Sequence, residues 1–241
     1  MHRIAIALMG AASLTACSVG SDEGSTVPAS GSGPTRTYAV EGFDRIAVAG
    51  GDDVDVRAGT AFSVRAEGPA DELDRLRIAR DGRDLVIGRQ KRVFGFGGGK
   101  GVKVFVTLPR LSEANIVGSG TMTVDRIEGT TFEVNIAGSG DLNIAALTTD
   151  AAEVNIAGAG TLRAGGAIKR LEANVMGSGS LDAAGLRVGE ADVTVAGSGN
   201  VRAAVSGRAK VELMGSGNVD LGAAAQCDVS KKGSGSVRCG R

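Results

Sequence analysis

A glycine-rich tripeptide, Gly-Ser-Gly or a close variant, recurs at a nearly fixed interval through the second half of this chain. The first glycines of its seven copies are Gly118, Gly138, Gly158, Gly177, Gly197, Gly215 and Gly233. Successive copies are separated by 20, 20, 19, 20, 18 and 18 residues. A fixed period near 20 residues is typical of a solenoid, in which each unit buries its apolar face against its neighbours.

Apolar and polar residues alternate on both sides of each tripeptide. With the first glycine as position 0, positions −4, −2, +4 and +6 are apolar in every copy, apart from Lys231 at position −2 of the last copy. A period of two predicts strands with one buried face. We therefore predict an all-β chain: a parallel β-helix, or solenoid, of about 20-residue coils with irregular N-terminal β coils. Lys231 suits an end coil, whose outer side meets water.

Both glycines of the tripeptide fall on the inward-facing parity of this pattern. Two explanations remain open at this point. A side chain there would fill space that neighbouring backbones need, or the chain bends there with a positive φ. In either case the tripeptide is a shape element, and a ligand-binding loop is the disfavoured alternative.

The outward positions predict that successive coils stack in parallel register. Position +5 alternates in charge from Arg163 through Asp182, Arg202 and Asp220 to Arg238, so stacking would place each charge between opposite ones. Position −3 is asparagine in four successive copies, which predicts a ladder of hydrogen-bonded amides.

Position −5 is acidic in all copies but one, and stacked carboxylates repel one another. Its residues are Glu113, Glu133, Glu153, Glu172, Asp192, Lys210 and Asp228. A column of bound cations such as Ca²⁺ would offset the repulsion. A solvated face with basic side chains reaching in is the favoured interpretation, because exposed like charges cost little.

Residues 35–110 are predicted to form the irregular N-terminal β part, and residues 111–241 the repeat solenoid. Residues 46–56 resemble a degenerate copy of the repeat, as expected for a terminal coil. Residues 69–76 are the best candidate for a short helix, and Asp81-Gly82 predicts a hairpin. The glycine-rich residues 90–101 are interpreted as a surface loop; a phosphate cradle is the alternative, but the spacing of a P-loop is missing.

Residues 1–16 have the layout of a secretory signal peptide. A charged start, His2-Arg3, is followed by an apolar run over residues 4–14 that is too short to span a bilayer. The run ends in Leu14-Thr15-Ala16-Cys17, which resembles a bacterial lipobox. That resemblance implies cleavage before Cys17, acylation of its side chain and, with Ser18 next, sorting to the outer membrane. An ordinary cleaved signal with an incidental Cys17 is the alternative. Residues 17–34 are expected to be the lipidated cysteine and a flexible tether.

Two further cysteines, Cys227 and Cys239, flank the last tripeptide. An even pair in an oxidising compartment predicts a disulfide that would pin the final coil. The alternative is two free cysteines that pack as small apolar residues.

The sequence offers no constellation of catalytic, cofactor-binding or metal-binding residues. His2 is the only histidine and would leave with the signal peptide, which removes the commonest general base and metal ligand. Lysine plus arginine and aspartate plus glutamate both number 27, so there is no electrostatic case for nucleic acid as a partner. Catalysis by a pair of carboxylates, as in glycosidases, is not excluded.

The order of motifs resembles that of the putative auto-transporter adhesin, head GIN domain family. The resemblance covers roughly residues 36–238 and rests on the segments GFDRIAVAGGDDVDVRAG, LVIGR, VKVFVTLPRLSEANIVGSGTMTV and the serial VGSG and AGSG units. It implies a β-helical build and an adhesin-like role, with no catalytic residues to transfer. We therefore expect a non-enzymatic envelope lipoprotein that binds the membrane through Cys17 and a glycan or protein partner at the cell surface. The alternatives are a glycan-active enzyme and a self-associating scaffold.

Overall fold

The computed structural model describes residues 25–89 and 101–240. The protein is 72% strand and 2% helix, and it forms a parallel β-solenoid of about six turns with coils about 20 residues apart. The fold class predicted from the repeat is therefore confirmed. Residues 1–24, 90–100 and 241 lie outside the described residues, so the predictions for the signal peptide, for Cys17 and for the glycine-rich loop stay predictions.

Each tripeptide separates one coil of the solenoid from the next. The strands of the repeat region are β10 (Glu113–Gly118), β11 (Thr121–Gly138), β12 (Asp141–Gly158), β13 (Thr161–Gly177), β14 (Ser180–Gly197), β15 (Asn200–Val205), β16 (Arg208–Gly215), β17 (Asn218–Asp220), β18 (Gln226–Lys232) and β19 (Ser236–Arg238). Successive coils pair in parallel with their glycines in register: Gly118 pairs with Gly138, and Gly138 with Gly158. This one-coil register keeps every position of the repeat in a column of its own.

The core consists of the inward positions that the period of two predicts. Positions −4, −2, +4 and +6 are buried in all six coils before the last one. In the last coil the same positions are exposed or half-buried, because no further coil covers them; Val229 is 43% exposed. Lys231 donates a hydrogen bond from its Nζ to the carbonyl oxygen of Gly235 at 3.0 Å, which satisfies a backbone group at this open end. The end-coil role predicted for Lys231 is thus confirmed.

The two open explanations for the glycines both apply. The first glycine of each tripeptide has a positive φ, for example +122° at Gly138, where an added Cβ would lie 2.5 Å from the carbonyl oxygen of Gly118. The second glycine lacks the positive φ but is equally crowded. A Cβ on Gly140 would lie 2.6 Å from Cγ2 of Ile116 and 2.8 Å from the carbonyl oxygen of Gly120. The tripeptide is therefore a corner at which adjacent backbones approach too closely for side chains.

The N-terminal part caps the first coil with mixed strand pairing. Its elements are β1 (Ser25–Thr26), β2 (Ala29–Ser30), β3 (Thr35–Tyr38), β4 (Arg45–Gly50), β5 (Asp53–Ala58), β6 (Ser63–Glu67), α1 (Ala70–Leu73), β7 (Leu76–Asp81), β8 (Asp84–Arg89) and β9 (Lys103–Leu108). β4 pairs in parallel with β10, and Gly50, with φ +129°, pairs with Gly118. The degenerate copy over residues 46–56 is therefore a true coil. Antiparallel pairs, β3 with β6, β6 with β9 and β7 with β8, complete the cap.

The structure corrects two boundaries in this part. Residues 25–34 were expected in the flexible tether, but β1 pairs with β7 and β2 with β3. Val27 donates its N–H to the carbonyl oxygen of Ile78 at 2.8 Å and packs against the core. The helix predicted over residues 69–76 is also shorter, since α1 ends at Leu73 and Leu76 already begins β7. The hairpin predicted at Asp81-Gly82 is confirmed: it joins β7 to β8, and Gly82 has φ +55°.

Candidate functional site

The asparagines at position −3 form the predicted ladder. Asn135 donates from Nδ2 to Oδ1 of Asn115 at 2.9 Å, Asn155 to Asn135 at 3.1 Å, and Asn174 to Asn155 at 3.0 Å. Because each amide has two N–H groups, a second hydrogen bond is available. It goes to the glutamate two residues earlier, for example from Asn135 to Glu133 at 2.9 Å. The ladder thus satisfies its own polar groups and part of the acidic column.

One glutamate of position −5 forms an ion pair with a basic side chain. Arg45 lies 3.3 Å from a carboxylate oxygen of Glu113. A groove of about 360 Å³ runs along this column, and four glutamates and four arginines line it. They are Glu113, Glu133, Glu153 and Glu172, with Arg45, Arg83, Arg110 and Arg170. Among the residues that the structure describes, no group of three or more His, Cys, Asp or Glu is placed to hold a metal ion.

The alternating charges at position +5 occupy adjacent coils as predicted. Arg163 pairs in register with Asp182, Asp182 with Arg202, and Arg202 with Asp220. The contacts along this column are long: Arg238 lies 3.9 Å from Asp220, and both side chains are exposed. Exposed ion pairs of this kind contribute little, about 0–1 kcal/mol each. The column therefore contributes little to the stability of the fold, and its alternating charges favour the observed register over one in which like charges are adjacent.

A larger groove, which we call the basic groove, crosses β12, β13 and β14 and shares Ala151 and Arg170 with the groove of position −5. Its volume is about 640 Å³, within the range of ligand sites. Its charged residues are Lys169, Arg170 and Arg187 with Asp150 and Glu190. Lys169 lies 2.6 Å from Asp150, and Arg170 lies 3.7 Å from Glu190. All four of these paired side chains are more than half exposed, so a polar ligand could exchange for either partner at low cost.

A buried ion cluster in the cap was not foreseen from the sequence. Asp52 stands in the place of the second glycine of a tripeptide and is 2% exposed. Arg89 donates from Nε to Oδ2 of Asp52 at 2.7 Å, and the N–H of Val102 donates to Oδ1 at 3.0 Å. Arg89 also pairs with Glu72, and its hydrogen bond to Asp52 raises the pKa of the guanidinium. The cluster thus joins the turn between β4 and β5, the helix α1, the end of β8 and the residue that precedes β9, which indicates a structural role.

The two cysteines of the last coil are brought together. The structure pairs Cys227 with Cys239 across 12 residues, with Cα atoms 6.2 Å apart. This separation lies within the range that a disulfide requires. Both side chains pack against the core at its exposed end.

Solved structures share this architecture at low sequence identity. A putative adhesin from Bacteroides fragilis superposes with a TM-score of 0.76 at 19% identity, covering 85% of this chain and 95% of its own. A putative lipid binding protein from Parabacteroides distasonis gives 0.63 at 23% identity, covering 86% and 96%. A putative adhesin from Parabacteroides merdae gives 0.62 at 19% identity, covering 85% and 94%. These likenesses show the fold.

No curated protein matches the sequence. Within the described part of the chain, no helix has the length and apolar character needed to cross a membrane. Residues 42–225 match the family described as putative auto-transporter adhesin, head GIN domain, and this match extends from the coil of Gly50 to that of Gly215. Since the match extends over more than half of the chain, the protein belongs to this family.

Proposed function

We propose that this protein is a non-enzymatic binding module of the cell envelope. It acts as an adhesin and is held at the outer membrane by acyl chains on Cys17. Membership of an adhesin family supports the binding role. The lipobox-like Leu14-Thr15-Ala16-Cys17 supports the lipid anchor. Several acyl chains on one cysteine would hold the protein firmly in the membrane, since each buried CH₂ group contributes about 0.8 kcal/mol to membrane binding.

The basic groove is the observation that carries this proposal. It crosses three coils, so its long dimension suits an extended polymer rather than a compact metabolite. Arg187 lines it and has no ion-pair partner within the described ranges, which leaves its five N–H donors available to a ligand. Together with Lys169 and Arg170 this gives one more cation than anion in the groove. We infer a hydroxyl-rich or anionic surface glycan as the ligand.

A glycan-active enzyme is the alternative within the same groove. Glycosidases need two carboxylates that face each other across the scissile bond. Asp150 and Glu190, the two carboxylates of the basic groove, are instead each paired with a basic side chain of a neighbouring coil. This arrangement favours binding without turnover.

A glycan-array screen of the folded chain carrying Cys17→Ser tests the proposal. We expect binding to an acidic or neutral envelope glycan and no reaction product. The triple variant Lys169→Ala/Arg170→Ala/Arg187→Ala should weaken binding at least about tenfold, the equivalent of 1.4 kcal/mol. The matched control, Arg163→Ala/Arg202→Ala, removes exposed cations from another side of the solenoid and should bind normally. Turnover of a bound glycan would refute the non-enzymatic role, and absence of binding would favour a scaffold.

A further inference from the structure

The charges that line the basic groove do not cancel. Lys169 pairs with Asp150 and Arg170 with Glu190, so each of these two pairs is neutral. Arg187 lines the same groove and has no carboxylate partner among the residues that the structure describes. One positive charge of the groove is therefore not neutralised by the protein, and it attracts an anionic group.

The immediate neighbours of Arg187 leave its guanidinium uncovered. Ala167 pairs with it in register from the preceding coil, and Ala204 from the following one. Gly185 and Gly189 lie two residues away on either side in its own strand, β14. None of these four residues has a polar side chain that could occupy the N–H groups of the guanidinium. The five N–H donors of Arg187 therefore remain open to a ligand.

The surface beside Arg187 is bare backbone. Gly189 lines the groove, and an added Cβ there would lie 2.6 Å from the carbonyl oxygen of Lys169. In the next coil, a Cβ on Gly207 would lie 2.6 Å from the carbonyl oxygen of Gly189. Since neither position has room for a side chain, the depression beside Arg187 stays open and a ligand can approach the backbone closely.

Ser206 supplies the groove with a hydrogen-bond acceptor. Its hydroxyl donates to the carbonyl oxygen of Val188 at 3.2 Å, and its N–H donates to the same oxygen at 2.9 Å. A serine hydroxyl has one O–H donor and two acceptor lone pairs. Because the donor is already used, Oγ of Ser206 is left to accept a hydrogen bond, for example from a sugar hydroxyl. The groove thus combines one free cation with one free acceptor.

We propose that the basic groove selects acidic glycans over neutral ones, and that Arg187 is the residue that recognises the carboxylate of the sugar. This inference rests on the binding function proposed for the groove and narrows its ligand class. The planar guanidinium of Arg187 donates two parallel hydrogen bonds to the carboxylate, and a hydroxyl of the glycan donates to Ser206. A single carboxylate brings the groove to neutrality, whereas a neutral glycan leaves Arg187 without a partner.

An array of oligogalacturonate, oligoglucuronate and oligomannuronate, each placed beside its carboxyl-reduced form, tests this inference on the whole chain carrying Cys17→Ser. The two members of a pair differ only in the carboxylate. We expect at least one acid to bind at least about tenfold more tightly than its reduced form. Arg187→Gln should abolish that preference. The matched control, Arg163→Gln, removes an exposed cation that does not line the groove and should retain it.

A second variant keeps Arg187 and gives it a partner within the protein. Ala167→Asp places a carboxylate in register with Arg187, so it should abolish the preference for acids as Arg187→Gln does. Ala145→Asp is its control, since it adds the same charge at an exposed position that does not line the groove. Thermal unfolding of each variant establishes that it is folded.

The outcomes separate this inference from the proposed function. Equal binding of the acids and their reduced forms would overturn the inference. If that binding were lost in Lys169→Ala/Arg170→Ala/Arg187→Ala, the groove would still be a glycan site and the proposed function would stand. A preference for acids that survived both Arg187→Gln and Ala167→Asp would also overturn the inference. Binding to no glycan of any kind would refute the proposed function and the inference together.

Discussion

At the scale of the residue, the glycines of the tripeptide set the most stringent limit on the sequence. Gly138 combines φ +122° with an added-Cβ position 2.5 Å from the carbonyl oxygen of Gly118. We predict that Gly138→Ala destabilises the protein by about 2–4 kcal/mol, because backbone strain and the displacement of a neighbouring coil add together. Urea unfolding followed by circular dichroism measures the loss.

The serine between the two glycines provides the matched control for that experiment. Ser139 is exposed at the outside of the corner, so Ser139→Ala should change the free energy of unfolding by no more than about 0.5 kcal/mol. Equal losses in the two variants would show that the corner tolerates a side chain and that the close approach of the coils is not what selects glycine.

Residue-scale prediction from sequence succeeded where a position repeats and failed where it does not. The parity of the glycines indicated that they face inward, and seven copies made the pattern visible. Asp52 occurs once, and its partners Arg89 and Val102 lie 37 and 50 residues away in the chain. Nothing local distinguishes it from the neighbouring Asp53, which is exposed. Only the folded structure shows that Asp52 is buried and accepts hydrogen bonds from Arg89 and Val102.

At the scale of the element, the last coil is the part of the solenoid with the fewest packing partners. β18 pairs with β16 and β19 with β17, and no strand covers their outer edges within the described chain. We predict that Cys227 and Cys239 form a disulfide in the protein folded under oxidising conditions. The double variant Cys227→Ser/Cys239→Ser, which removes the disulfide, should lower the free energy of unfolding by up to about 3 kcal/mol. Most of this loss should fall on the last coil.

Hydrogen exchange with peptide resolution separates this local effect from a global one. Amides of β18 and β19 should exchange faster in the double variant, whereas those of β11 and β12 should be unchanged. Intact mass under alkylation gives the direct check. Two alkylated thiols in the oxidised wild-type protein, or unaltered exchange in β18, would contradict the assignment and leave the cysteines as small apolar residues.

The element boundaries show why periodicity predicts some strands and not others. β10 to β17 follow from a repeated inward pattern, and from β13 onward the order of the coils also follows from the alternating charges at position +5. β1 and β2 contain two residues each and carry no period. They form because β7 and β3 offer unpaired edges, a reason that is absent from their own sequence.

At the scale of the whole molecule, the fold divides into a part that repeats and a part that closes it. The repeating part was predictable, since each coil contacts only its neighbours and the spacing of the tripeptides gives the coil length. The basic groove was not, because its residues lie between the tripeptide cores, where the period carries no common side chain. In the cap, the first coil and the hairpin of β7 and β8 were predicted, whereas the antiparallel pairing of β3 with β6 and of β6 with β9 was not, because it depends on contacts without a period.

The solenoid should tolerate the loss of one whole coil. Deleting residues 139–158 joins Gly138 to Ala159, recreates a Gly-Ala-Gly corner and brings Leu162 into the place of Leu142 above Met122. Because the columns at every position keep their register, we predict a folded protein with one coil fewer. Its melting temperature should fall by about 5–10 °C, as expected for the loss of a few kcal/mol in a chain of this size.

A deletion of half a coil is the control for this prediction, because we expect it to disrupt the fold. Removing residues 139–148 leaves a stretch too short to complete a turn, so β13 can no longer stack on β12 in register. We expect this variant to aggregate or unfold, although it retains more of the native chain than the whole-coil deletion. Far-UV circular dichroism and a cooperative melting transition distinguish the two. If both deletions were tolerated equally, the coil would not be the structural unit, and stability would reside in the cap rather than in the stacked columns.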